Sequence, residues 1–238
     1  MKKVLAFTLL IICCQIGIGQ QITPRELIEK SINYHDPDGT LFTKDIHMEL
    51  IGSSPNRDDR KTSIAFNIKK EKFQMSNVRD GKSIVRSSNK GLVKISIDGE
   101  FEFSKETADK YRLSTDRVVM MKNYYQYLWL MPMKLNDSGT ILDPTVKTTD
   151  FFGKESLTIK VTYREEVGED VWYFYFDPIS YAMQGYRFYH DEAKNDGEYI
   201  ILEEEVVFGS VKLPKKRTWY THTEDKLLGT DILSALEF

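Results

Sequence analysis

Apolar residues occupy every second position in several short stretches of this sequence, and tight-turn residues separate the stretches. Residues 46–50, 64–68, 93–97 and 157–163 alternate apolar with polar side chains. A period of two predicts β-strands that bury one face and leave the other in water. Asp80-Gly81 lies between two further strand-like stretches and is a typical hairpin turn. The pattern therefore predicts roughly ten antiparallel strands joined mostly by tight turns.

A helix precedes the first predicted strand. Thr23 is a helix-capping residue, Pro24 suits the first helical position, and Glu26 can complete a capping box with Thr23. Leu27, Ile28, Ser31, Ile32 and His35 then share one helical face, which we expect to lie on the sheet. The turn at residues 36–39 ends the helix.

The stretch from Ser114 to Leu135 is the one long helical segment among the strands. Ser114 can cap its start, and Pro132 ends or kinks it. A surface helix normally has one apolar face, but here apolar residues surround the helix apart from a narrow polar stripe that contains Lys122. Such a helix is either covered by protein on most sides or faces an apolar cavity. Two explanations stay open: a core helix packed on the sheet, or a lid over a cavity.

The element order predicts a mainly β (α+β) fold. A large twisted antiparallel sheet tends to curl, and helices on its inner face would make it a half-barrel whose mouth they plug. We expect a large curled antiparallel sheet forming a half-barrel, with an N-terminal helix and a helical lid insertion. One face of the lid helix would line the cavity, and the ligand-binding residues expected there are Val118, Met121, Tyr125, Leu128 and Trp129.

Residues 1–19 are typical of a secretory signal peptide, which leaves residues 20–238 as a single half-barrel domain. Two lysines near the start are followed by an apolar core at residues 4–12, and Gly17 and Gly19 suit a cleavage site. We therefore expect an exported protein in the periplasm or at the outer-membrane periphery of a Gram-negative-type bacterium.

Both cysteines, Cys13 and Cys14, lie inside this leader. If the leader is removed, the mature chain has no cysteine and holds its fold without disulfides. A lipidated cysteine needs a small residue just before it, and Ile12 fits that requirement poorly. Lipidation of either cysteine stays open.

Charge and hydropathy exclude two classes of partner. The formal net charge of −3 gives no basic footprint of the kind that nucleic acid requires. The apolar helix predicted at residues 114–135 is interrupted by polar residues and is too short for a membrane span. There is no second hydrophobic span. We expect no transmembrane span in the mature chain.

The residue types that carry catalysis do not form recognisable patterns. The four histidines, at positions 35, 47, 190 and 222, make no H-x-H or H-E-x-x-H pair. His35 stands at a helix end next to Asp36, where we expect a capping or packing role. The acidic run at residues 203–205 is predicted to be a solvated face, with Glu204 near an edge or paired with arginine or lysine. We expect no metal, no cofactor and no enzymatic activity.

Three short patterns carry a resemblance to a known family. They are residues 34–39 after the first helix, Phe176-Asp177-Pro178 followed by residues 184–186, and residues 209–214 before Trp219-Tyr220. Their order resembles the LolA/LolB-like fold of bacterial lipoprotein carriers, and most closely a domain-of-unknown-function family of secreted bacterial proteins. The resemblance implies an incomplete β-barrel whose concave side binds acyl chains or another apolar ligand under helical lids.

Three functions remain in competition. The first is an exported envelope protein that binds an apolar ligand, such as a lipid, an acyl chain or an acylated partner, under the helical lid. The second is a non-catalytic structural or protein-interaction module of the envelope with a filled core, whose partner would be a lipoprotein or another envelope protein. The third is an enzyme, which would require His, Asp and Glu to converge in a cleft. A cavity beside the lid helix would favour the first.

Overall fold

A computed structural model describes residues 21–238. This part of the chain forms one antiparallel sheet of twelve strands that is not closed into a barrel. The strands are β1 (Ile46–Ser54), β2 (Arg57–Asn67), β3 (Lys72–Arg79), β4 (Lys82–Asn89), β5 (Leu92–Ile97), β6 (Thr140–Phe151), β7 (Lys154–Tyr163), β8 (Val171–Phe176), β9 (Met183–Asp191), β10 (Asp196–Phe208), β11 (Val211–Thr221) and β12 (Leu227–Glu237). The predicted fold class is confirmed, with two strands more than expected.

Four helices accompany the sheet in the described range. They are α1 (Pro24–His35), α2 (Thr40–Thr43), α3 (Lys105–Tyr111) and α4 (Thr115–Trp129). One-turn 3-10 helices follow at Met133–Asn136 and Glu192–Lys194. No helix within residues 21–238 is long and apolar enough to cross a membrane. The predicted signal peptide, residues 1–19, lies outside the described residues, and the predicted domain boundaries stay a prediction.

The helices α3 and α4 connect the two edges of the sheet. The spatial order is β5-β4-β3-β2-β1-β12-β11-β10-β9-β8-β7-β6, so β5 and β6 are the edge strands although they follow each other in the chain. A flat sheet of this size would be roughly 50 Å wide at about 4.8 Å per strand. The helix α4 is only about 22 Å long at 1.5 Å per residue. This short helix contacts strands near both edges of the sheet, which is possible because the sheet curls around it.

We define the inner face as the one that carries the main core. Buried side chains of β2, β3, β8 and β11 there join Leu128 and Trp129 of α4 in one apolar cluster. A second, smaller cluster joins Ile84 and Ile97, on β4 and β5, to Tyr111 and Leu113 beside α3. The two clusters hold the helical crossover at both of its ends.

The predicted start of α1 is confirmed in detail. The Thr23 hydroxyl accepts a hydrogen bond from the Glu26 backbone N–H, and the Glu26 carboxylate accepts one from the Thr23 backbone N–H. Leu27 and Ile28 are fully buried. At the other end of the helix His35 is buried, and its Nδ1 lies 2.7 Å from the Lys212 carbonyl. The predicted packing role of His35 is therefore confirmed.

Local turn chemistry sets the strand connections. Asp80 and Gly81 both have positive φ, 50° and 73°, as a two-residue type I′ hairpin between β3 and β4 requires. Pro214 lies inside β11, but the ladder from β11 to β12 begins only at Lys216, so the strand has a free side at the proline. Proline tolerates that position because it needs no partner for a backbone N–H.

Candidate functional site

The helix α4 begins where the sequence predicts. The Ser114 hydroxyl accepts a hydrogen bond from the Arg117 backbone N–H, which satisfies one of the free amides of the first turn. The helix ends at Trp129, before Pro132. Its side chains divide into a row buried against the sheet and a row beside an open space, and this space, between α4 and the inner face, is called the cleft below.

The cleft has a volume of about 1660 Å³ and extends along α4. Five aromatic side chains form one part of its wall. Three of them come from three strands of the sheet, and two come from α4, so the wall exists only when the helix is docked. They are Tyr124, Tyr127, Trp172, Phe188 and Trp219.

The aromatic rings of this wall contact one another across the helix–sheet boundary. Tyr124 stacks on Trp219 with a centroid distance of 6.2 Å. Tyr127 meets Trp172 edge to face at 5.4 Å, and Trp172 stacks on Phe188 at 4.7 Å. Such pairs add to the free energy gained from burial. The wall therefore also helps to hold α4 in place.

The phenol groups near this wall are neutral at physiological pH. The hydroxyls of Tyr127 and Tyr163 are 2.5 Å apart. Burial raises the pKa of Tyr163 to about 12, and burial also raises the pKa of Tyr127 well above its usual value. One hydroxyl donates a hydrogen bond to the other, so the tyrosines close this part of the cleft without adding charge.

The five residues predicted to bind ligand divide between cleft and core. Met121 and Leu128 line the cleft. Val118, Tyr125 and Trp129 are buried, at 0%, 4% and 1% exposure, and do not line the cleft. The helix brings the five residues onto neighbouring turns, but only the first two lie where a ligand in the cleft could contact them. Their role in binding stays a prediction.

The expectation that α4 is covered by protein or faces a cavity fails only at Val119, although three of its apolar residues are partly exposed. Val119, Met120 and Tyr124 are 44%, 45% and 41% exposed. The helix packs on the sheet along one row only, so its flanks stay open. Met120 and Tyr124 line the cleft, whereas Val119 neither lines it nor packs in the core.

A buried arginine holds the last turn of α4 on the sheet. Arg217 of β11 is 2% exposed. Its Nη1 donates a hydrogen bond to the Pro214 carbonyl at 3.1 Å, and its Nη2 donates one to the Leu128 carbonyl at 3.4 Å. The last carbonyls of a helix have no partner within the helix. Arg217 supplies a hydrogen-bond donor to one of these carbonyls, and so it fixes one end of the cleft.

The other end of the cleft is rich in arginine. Five of these residues, called the arginine cluster below, come from β2, β3, β4, the α3–α4 connection and the first turn of α4: Arg60, Arg79, Arg86, Arg112 and Arg117. Every ion pair found among residues 21–238 uses a lysine or a histidine as the cation. Within the described chain, the cluster therefore has no carboxylate within 4.0 Å.

Carboxylates also line the cleft. Asp58, Asp59 and Asp80 lie near the arginine cluster, and the lining also includes Asp137, Asp170, Glu198 and Asp231. Burial raises the pKa of Asp231, while the charges of Arg60 and Arg217 act in the opposite direction. The cleft thus combines an aromatic wall with an end at which charges of both signs are present and arginine prevails.

The residue types considered for catalysis lie apart. His190 bonds to Asp170 through Nδ1 at 2.7 Å, and His35 is held between two backbone groups. Within residues 21–238 no group of three or more His, Cys, Asp and Glu side chains could hold a metal ion. In the acidic run, Lys216 and Lys215 bond to Glu203 and Glu204. The predicted pairing of Glu204 with lysine is confirmed.

Sequence reasoning missed both Arg217 and the arginine cluster. The alternation of side chains along β4 contained a signal that could have identified Arg86 as buried. Arg86 has the same parity as the buried Ile84 and Ser88, so alternation places its side chain on the inner face. A charged residue in the phase of the core indicates a buried charge that needs a partner.

Comparisons with known proteins agree with this architecture. The sequence model of a family of unknown function, DUF6503, matches residues 2–235. No curated protein matches the sequence. Among solved structures, the LolA superfamily protein NE2245 from Nitrosomonas europaea is 8% identical with a TM-score of 0.50, and the match covers 91% of this chain and 94% of that one.

Two further structures are similar. A domain assigned to outer membrane lipoprotein sorting in Vibrio parahaemolyticus has 11% identity and a TM-score of 0.52, over 89% of this chain and 93% of that one. A DUF1329 family protein from Desulfovibrio piger has 8% identity and a TM-score of 0.52, over 90% and 92%. At these identities the similarity shows the fold, which is LolA-like as the resemblance implied.

Proposed function

This chain belongs to DUF6503, a family of unknown function, and we propose that it is an exported bacterial envelope protein that binds an apolar ligand in the cleft beside α4. The ligand class is a lipid or an acyl chain, free or attached to a partner such as a lipoprotein. The proposed role is carriage or sequestration without catalysis. The proposed compartment is the periplasm or the outer-membrane periphery.

The observation that carries this proposal is the aromatic wall of the cleft. Ordinary small-molecule sites have volumes of roughly 300–1,000 Å³ and predominantly apolar walls. The cleft is larger, at about 1660 Å³, and Met120, Met121 and Leu128 extend its apolar surface along α4. Methionine side chains adapt to irregular apolar shapes. An elongated flexible chain fits such a wall better than a compact polar molecule does.

Two further observations support the compartment. Residues 1–19 have the pattern of a secretory leader. The fold is shared with a Vibrio parahaemolyticus domain whose name refers to outer membrane lipoprotein sorting. A structural or interaction module with a filled core is the rival function, and an open cleft of this size speaks against it.

Native mass spectrometry of protein purified from an exporting host tests the proposal. Solvent extraction would identify any molecule that is released. We expect a co-purified lipid or acyl compound in the wild type and its loss in Met121→Asp, which places a carboxylate in the cleft. Val119→Asp is the matched control, because Val119 lies on the same helix, is exposed and does not line the cleft.

Two results would contradict the proposal. The first is an unliganded wild-type mass together with no binding of added fatty acid or phospholipid. The second is a ligand retained equally by the Met121→Asp and Val119→Asp proteins, provided that both are folded by circular dichroism. Either result would direct attention to protein partners of an interaction module.

A further inference from the structure

The arginine cluster contains a buried cation whose hydrogen-bonding capacity is only partly used. Arg86 is 7% exposed. Its Nη1 donates to the Asn77 side-chain oxygen at 3.2 Å, and its Nη2 donates to the Tyr111 carbonyl at 2.9 Å. Its Nε is buried and has no partner within residues 21–238. An unsatisfied buried donor is unfavourable, and a charged one especially so.

The other arginines of the cluster make this arrangement less favourable still. Burial lowers the pKa of Arg86, and the charges of Arg117 and Arg79 lower it further. Burial also lowers the pKa of Arg117, and Arg112 adds to that effect. Like charges held together and partly desolvated favour binding of an anion. The charges of Arg79, Arg86, Arg112 and Arg117 therefore act on one another at one end of the cleft.

Arginine recognises one anionic group particularly well. The planar guanidinium presents its N–H donors in a fork that matches two oxygens of a phosphate. Arg117, in the first turn of α4, brings one such guanidinium to the cleft. The same cleft continues from these residues to Met120, Met121 and Tyr124.

We propose that the arginine cluster binds the phosphate head group of an amphiphile whose apolar chain lies along α4 against the aromatic wall. This inference rests on the proposed function and narrows its ligand class to phosphate-bearing lipids. The head group occupies the end of the cleft formed by β2, β3 and β4, and the chain extends toward Trp172 and Trp219.

A pair of ligands that differ only in the phosphate tests the inference. Lauroyl-glycerol phosphate and monolauroylglycerol are titrated separately into the wild-type protein below their micelle concentrations, with calorimetric detection. We expect the phosphate compound to bind about tenfold more tightly or better. Raising the salt concentration should weaken its binding and leave that of the neutral compound unchanged.

Variants assign the difference to the cluster. Arg79→Gln combined with Arg112→Gln removes two exposed arginines of the cluster, and no hydrogen bond from either guanidinium is found within the described chain. We expect this double variant to lose about tenfold in affinity for the phosphate compound and to bind monolauroylglycerol as before. The control is Arg25→Gln combined with Arg164→Gln, which changes the net charge equally and lies outside the cleft.

The outcomes separate the two proposals. Equal affinity for both amphiphiles, or an equal loss in the control double variant, would overturn the phosphate site while leaving apolar binding intact. Inorganic phosphate that binds as tightly as the amphiphile would also overturn it, since the chain would then contribute nothing. If neither amphiphile binds, the proposed function itself fails.

Discussion

The guanidinium of Arg217 lies 3.4 Å from the centroid of the Trp129 ring, and the same group donates a hydrogen bond to the carbonyl of Leu128. A strand residue thus holds both the ring and the backbone at the end of α4. Burial lowers the pKa of Arg217, and the nearby Tyr186 and Asp231 act in the opposite direction. The contact combines a cation–π interaction with a helix cap.

Loss of this contact should destabilise the protein and loosen α4. Arg217→Ala leaves a cavity beside Trp129 and two carbonyls without their donor, and we expect a loss of about 3 kcal/mol in the free energy of unfolding. Arg217→Lys should also destabilise, because an ammonium neither stacks on the indole ring nor reaches two carbonyls as a planar fork does. Urea unfolding measures both effects.

Hydrogen exchange gives the corresponding local measurement. Amides in the last turn of α4, near Leu128, should exchange faster in Arg217→Ala, whereas those of α1 should change only as much as global stability does. Equal changes in both helices would show that Arg217 acts on overall stability and does not tether α4.

The three tryptophans should report differently on a bound ligand. Trp172 and Trp219 line the cleft, and Trp129 is buried beneath α4. A brominated fatty acid quenches tryptophan only on close approach, so we expect it to quench the wild type strongly. A variant that retains only Trp129, made by Trp172→Phe and Trp219→Phe, should show little quenching.

The same experiment decides whether Trp129 contacts ligand, as its helical position led us to predict. Strong quenching of the Trp129-only variant would place the chain beneath α4 and not beside it. Native mass spectrometry of that variant with the brominated fatty acid serves as the control, since retained binding is required before weak quenching can be interpreted.

The capping box of α1 should have a measurable effect on stability. Thr23→Ala removes the hydroxyl that accepts from the Glu26 N–H, and we expect a loss of about 1 kcal/mol in the free energy of unfolding. Thr23→Ser keeps the acceptor and should be near neutral. Thermal unfolding of the two variants checks this, and equal destabilisation by both would contradict the capping explanation.

Two histidines should titrate in opposite directions from the ordinary value of about 6.5. Burial lowers the pKa of His35. The hydrogen bond to Asp170 raises the pKa of His190, which is largely exposed. Two-dimensional NMR of the histidine rings across pH 4–9 measures both values, and His190→Asn identifies its own signal. A His35 value above that of His190 would contradict the burial argument.

These shifts give opposite signs for the pH dependence of stability. The neutral His35 ring is the form that the fold holds, so its contribution is present above pH 6.5 or so and is lost as the pH falls through its lower folded value. The contribution of His190 is present below pH 6.5 or so and is lost as the pH rises through its higher folded value. Because His190 is exposed, its effect should be the smaller one, and unfolding curves at several pH values measure the sum.

Much of the sheet follows directly from the sequence, but some strands do not. Alternation and turn residues predict the hairpin at Asp80-Gly81 and the strand that contains Ile64. The first residues of β2, from Arg57, are charged and exposed, so they show no apolar period. Pro144 lies inside β6 at a register shift, which an edge strand permits but local propensity does not indicate.

The cleft was predictable only in part. The composition of α4 indicates an apolar contact surface, and Met121 and Leu128 do line the cleft. Which flank of α4 stays open depends on how the helix crosses the sheet, and that is set by contacts between distant residues such as Arg217 and Leu128. The arginine cluster draws on three strands, the α3–α4 connection and α4, so no local pattern predicts it as a whole, and only Arg86, in the phase of the buried residues of β4, gives a signal by itself.

The position of β12 in the sheet has a consequence for how the polypeptide reaches its folded state. β12 is the strand furthest along the chain, yet it pairs with β1, from His47 opposite Glu237 to Ser53 opposite Thr230. The segments β1–β5 and β6–β11 can each form as local hairpins before the rest of the chain is available. Until β12 arrives, β1 and β11 remain unpaired edges that invite intermolecular strand addition. A chaperone that covers exposed strand edges would therefore act before β12 pairs with β1 and β11. Removal of β12 would divide the sheet at its centre.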